Sequence, residues 1–169
     1  MASLVPDSGL LGKDAGEAAL VDQWVHFGET EIATFSYEIM ALVAGYLGPY
    51  SKEVCAVDQT RVEWAKMKLD YQMHDINVGR QARALKFLDE HLAASTSGYV
   101  ISDAMTLADI AIAAASQQAG KITCGTAERA QYPNVFAHYE KVTAHPKVKE
   151  VFGEAEFVEE AMTYKAKTA

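Results

Sequence analysis

The chain has 169 residues, a length that suits one domain with a sizeable core, and half of them are apolar, which argues against disorder. It carries 23 acidic against 15 basic residues, a formal charge of −8, with no cluster of lysine and arginine. Such a surface repels phosphate backbones, so nucleic acid is excluded as the first choice of partner.

Only four prolines interrupt the chain, Pro6, Pro49, Pro133 and Pro146, and the gaps leave room for long helices. Over residues 15–47, Leu20, Trp24, Phe27, Phe35, Ile39 and Val43 recur at helical spacing, with a bend at Gly28 and a stop around Gly45–Pro49. Residues 54–93 predict a second long helix, its stripe running Val62, Leu69, Ile76, Leu85, Leu88 and Leu92, with a turn from Ser95 to Gly98. A third helix starts at Thr106 and ends before Gly120; it is small or apolar on most faces and must therefore be buried among others. The stretch KITCGTAERAQYPN reads as a connection. Helical patterns resume near Val135–Ala144, Pro146–Phe152 and Glu154–Ala166, and no strand-like alternation persists anywhere. The expected architecture is all-α, five to seven helices packed around one central helix.

The head of that central helix reads SDAMTLADI. Thr106 and Asp109 have the spacing of an N-capping box, in which the threonine hydroxyl serves the Asp109 backbone N–H and the carboxylate reaches back to the Thr106 N–H. Met105 and Ile110 stand at the two positions of a hydrophobic staple. A buried helix cannot leave its first N–H groups to water, so the cap matters more here than on a surface helix. We assign Asp109 a structural rather than a catalytic role, and no residue is assigned a catalytic one.

His26, His74, His91, His138 and His145 are scattered without metal-ligand spacing, so no metal site is expected; His138 and Tyr139 beside Phe136 read as packing plus a surface contact. Cys55 and Cys124 form no C-x-x-C pair and read as free thiols of a reducing compartment; Cys124, in a polar loop, reads as incidental in preference to an exposed, oxidisable thiol. No apolar run reaches the roughly 18 residues of a membrane span, and MASLVPDSGLLGKD is not a secretory leader, so a cytoplasmic protein is expected. The acidic run GEAEFVEEAM reads as a solvated helix face or as one that meets a basic partner.

YVISDAMTLADIAIA resembles the start of the buried sixth helix in the C-terminal domain of glutathione transferases, with Ser102 where that family usually has a glycine. SGLLGKDAGEAALVDQWVHFGETEI and YPNVFAHYEKVTAHPKVKEVFGEAEFVEEAM are similar to the beginning and end of this domain in the gamma subunit of translation elongation factor 1B, although Ala137-His138-Tyr139 stands where many gamma subunits carry Arg-Trp. The resemblance implies that residues 1–13 are a linker following a thioredoxin-like domain and that 14–169 are the helical domain. It also implies a non-catalytic scaffold whose partners are the guanine-exchange subunits or another copy of itself, with no cofactor unless a thioredoxin-like domain supplies a glutathione site. Two alternatives stand beside it: part of a glutathione transferase or isomerase acting on an electrophile, and a helical half recruited as a structural subunit of another assembly. In related transferases the first long helix lines a substrate pocket on one face and a subunit contact on the other. Trp24, Phe27, Glu31 and Phe35 would lie there, whether as pocket, plain core or interface, with Tyr164 on the closing C-terminus.

Overall fold

The computed structural model describes residues 8–44 and 59–164, and over 59–71 the backbone alone. Helix α1 (Ala15–Phe27) runs into a π-helical stretch, Gly28–Ala33, and continues as α2 (Thr34–Ala44). The 36-residue α3 (Gln59–Ala94) is followed by a loop, α4 (Leu107–Ile122), the single turn α5 (Thr126–Arg129), α6 (Pro133–Thr143) and α7 (Pro146–Phe152). The described residues contain no strand.

Local chemistry explains where these helices begin. Asp14 caps α1, its Oδ1 accepting from the N–H groups of Gly16 and Glu17 at 2.8 and 2.9 Å. Pro133 and Pro146 open α6 and α7, where a missing N–H costs nothing. The first N–H groups of α6 are served from another helix: Asp89 of α3 accepts from Asn134 and Val135 at 2.8 and 3.1 Å.

Helix α4 is the centre. It packs on α1, the π-helical stretch, α2 and α6. Its Ala108, Ile112, Ala115 and Ala119 join Val21, Trp24, Leu85, Leu88, Leu92 and Val135 in the main core, while Ala113 turns to a second cluster with Tyr139, Val142 and Val148. Alanines at the contacts let neighbouring helices approach closely while still removing apolar surface from water, roughly 25 cal/mol per Å². Polar groups bridge α3 to α2 and the π-helical stretch: Gln81 Nε2 donates to Ile32 O at 3.0 Å and to Ser36 Oγ at 2.6 Å.

The structure differs from the sequence reading at several points. Helix α4 passes through Gly120 and ends at Ile122, and an aromatic ring seats against that glycine. The expected connection contains α5. The described part of Glu154–Ala166 is not helical; the N–H groups of Val158 and Met162 bond to carbonyls of α4 instead of to its own. The acidic run is therefore not a helix face. Ile76 and Leu20, placed on apolar stripes, are 46% and 42% exposed. The stop at Gly45–Pro49, Cys55, the first seven residues and the side chains of Val62 and Leu69 lie outside the described residues.

Candidate functional site

The most strongly determined polar group sits at the head of α4. Asp109 is fully buried, and each carboxylate oxygen has its own work. Oδ2 accepts from the Thr106 N–H at 2.7 Å and the Thr106 hydroxyl at 2.9 Å; Oδ1 accepts from the Val100 N–H at 2.8 Å and lies 3.1 Å from His138 Nε2. Both halves of a capping box are present, and the carboxylate also ties the 95–105 loop and α6 to the helix it caps. Met105 and Ile110 both pack against the second core cluster.

Burial by itself would raise the Asp109 pKa. The hydrogen bond from His138, followed by those of the Thr106 and Val100 N–H groups and the Thr106 hydroxyl, outweighs it and holds the carboxyl below its ordinary value. With Asp109 ionised, His138 must donate from Nε2. Its Nδ1 is buried with no hydrogen-bond partner. The contact expected of His138 at the surface is thus an internal one, with the imidazole 1% exposed. Sequence reasoning missed it because 29 residues separate the partners and no local pattern links them. A second histidine reaches the same network: His91 Nε2 lies 2.7 Å from Val100 O, on the residue whose N–H holds Asp109.

The four candidates on the first long helix do not form one site. Trp24 is buried and Phe27 half-buried; with Phe87 and His91 of α3 they make an aromatic cluster whose centroids lie 4.5–6.0 Å apart. Phe87 is 54% exposed, so the cluster reaches the surface as an apolar shelf that the sequence did not signal. Phe35 is buried farther along, under the Arg80 guanidinium at 5.8 Å. Glu31 is exposed, and Ile32, fully buried, takes the inward position at that turn. Tyr164 is half-buried on the C-terminal segment, two residues after Met162, whose carbonyl lies 3.5 Å from His74 Nε2.

Cys124 is not in the exposed setting its polar neighbours suggest. It is 2% exposed within the main core, and burial, only partly offset by a hydrogen bond to Thr123, pushes its thiol up to about 11. Among the described residues no group of three histidine, cysteine or carboxylate side chains could hold a metal ion, and no helix is long and apolar enough to cross a membrane.

An all-helical domain organised by a buried central helix with this carboxylate clasp defines a class, and the family profile of the glutathione S-transferase C-terminal domain matches residues 62–154. The chain belongs to that family. It is 33% identical over 152 residues to the glutathione S-transferase-like protein FUS3 of Gibberella fujikuroi, covering 90% of this chain and 62% of the relative. It is 28% identical over 144 residues to the glutathione S-transferase-like protein LUC7 of a Fusarium species, covering 85% and 56%. The chain thus spans about three fifths of the length of the curated relatives it matches. Among solved structures, the GST-like domain of elongation factor 1-gamma from Saccharomyces cerevisiae superposes with a TM-score of 0.72 over 95% of this chain and 64% of that one, at 17% identity. Glutathione transferase F2 from Populus trichocarpa gives 0.58 over 86% and 60%, also at 17% identity. At those identities the likeness speaks for the fold alone.

Proposed function

We propose that this chain acts as a non-catalytic protein-interaction module, the helical part of a glutathione-transferase-like protein. The observation that carries the reading is how Asp109 is used. Among the described residues, Asp109 is the buried carboxylate held ionised, and it spends both oxygens on holding a loop and two helices together. Binding then falls to surface, and the shelf of Phe27 and Phe87 offers apolar area for a partner to cover, with charge complementarity at its rim. The fold shared with the elongation factor 1-gamma domain supports a finer version: a cytoplasmic scaffold of the guanine-exchange complex in translation elongation, bound to the exchange subunits or to a second copy. Titration of the chain with purified exchange subunits, followed by calorimetry, tests it. Binding that Phe87→Glu weakens at least tenfold supports the proposal; no binding by a folded chain contradicts it.

A second reading rests on the printed names of relatives that are 33% identical, glutathione S-transferase-like proteins. In it, this chain forms the electrophile-side wall of an enzyme whose glutathione site lies in sequence beyond these residues. Conjugation of glutathione to an aromatic electrophile by a longer form of the protein, but not by this chain, would favour it over the scaffold.

A further inference from the structure

After α7 the chain leaves regular structure and packs back on the bundle, with Phe157 against both core clusters. Residues 154–164 run without regular structure across the C-terminal end of α4, where a helix leaves carbonyls unpaired. The Val158 N–H donates to Gly120 O at 3.0 Å and the Met162 N–H to Ile122 O at 2.8 Å, while Glu159 O accepts from the Thr126 N–H at 2.9 Å. Arg129 closes the far side, its Nη1 donating to Val158 O at 2.6 Å.

One side chain anchors the segment. The Phe157 ring fills a notch that exists only because residue 120 is glycine: a Cβ there would stand 2.7 Å from the ring. Phe136 meets the ring edge-on at 5.7 Å, and the Arg129 guanidinium covers it at 5.2 Å. Residue 125 is glycine for a related reason, since a Cβ there would lie 2.6 Å from Glu159 O.

The lead-in is of the opposite character. Residues 153–156 are all exposed, Gly153 has φ 69° and nothing crowds it. The segment carries Glu154, Glu156, Glu159 and Glu160; Lys149 pairs with Glu154 at 3.3 Å in the exposed lead-in, and Arg129 meets the segment through the Val158 carbonyl. Backbone read by fixed partners and one aromatic in a dedicated pocket are features of peptide recognition.

We propose that the C-terminal end of α4 is a binding groove for an extended, acidic peptide with an aromatic anchor, and that residues 157–162 are its tethered occupant, displaceable about the pivot at 153–156. The tether gives the occupant an effective concentration in the millimolar range, so it masks the groove from free peptide until it is weakened.

The test uses the full chain and a fluorescent synthetic peptide with the sequence of residues 154–164, followed by anisotropy, with hydrogen exchange as a second readout. In the unmodified chain the Val158 and Met162 amides should exchange through an opening that leaves the α4 amides protected. The Phe157→Ala chain, its own occupant weakened, should bind the peptide at least about tenfold more tightly than the unmodified chain, the scale set by burying one aromatic ring. Adding Gly120→Ala to that chain, or replacing the phenylalanine of the peptide by alanine, should abolish binding. Exchange of the segment only together with α4, a Phe157→Ala chain that no longer folds, or a folded one that ignores the peptide would each overturn the proposal.

Discussion

His138 Nε2 lies 3.1 Å from Asp109 Oδ1, and neither side chain reaches solvent. The pair joins α6 to the head of α4, so the imidazole is a fastening of the core. His138→Phe keeps most of the volume and removes the donor. Oδ1 then retains only the Val100 N–H, and the domain should lose about 1–3 kcal/mol in urea unfolding. An unchanged midpoint would show that the contact contributes nothing.

The Thr106 hydroxyl serves the same carboxylate. Thr106→Ala should cost about 1–2 kcal/mol, read as a fall in Tm, because it removes a capping side chain at a site water does not reach. Asp109→Asn should cost more, about 3 kcal/mol. A single amide oxygen cannot receive four donors, and its NH₂ would face N–H groups.

The sign of the acid response follows from the lowered Asp109 pKa. On acidification the unfolded chain takes up this proton first, so the carboxylate stabilises the fold fully above about pH 5 and progressively less below about pH 4, as pH falls toward the folded value. The stability gap between the native chain and Asp109→Asn should therefore narrow between pH 5 and pH 3 in urea titrations. A constant gap would mean that Asp109 is not held as the carboxylate.

Cys124 should be nearly silent toward thiol reagents. With its pKa pushed up to about 11 and 2% exposure, the thiolate at pH 8 is on the order of one part in a thousand, within a core that a reagent cannot enter. In a Cys55→Ser chain at pH 8, labelling should await denaturant. Rapid stoichiometric labelling of the native protein would contradict the buried placement.

What could be read from the sequence is what physics makes local. Thr106 and Asp109 are three residues apart on the turn they cap, and the apolar run behind them states its own burial. His138 and Asp89 carry no such signal, since each is defined by a helix 29 or 45 residues away. Regular α-helical spacing puts Glu31 in register with Phe27 and Phe35; the chain winds there as a π-helix, which leaves Glu31 exposed and Ile32 buried. The Phe157 segment has spacings that fit a helix, but its amides find better partners on α4, and tertiary hydrogen bonds override the local pattern. Cys124 lies among polar neighbours in sequence and apolar ones in space.

The carboxylate of Asp109 is a structural tie whose strength depends on the groups it binds. A double-mutant cycle of Asp109→Ala, His138→Ala and the double variant, measured by equilibrium urea unfolding at pH 7, tests this most directly. Joint members of one buried tie should be non-additive, with a coupling energy of about 1–3 kcal/mol. Single costs that simply sum in the double variant would contradict it.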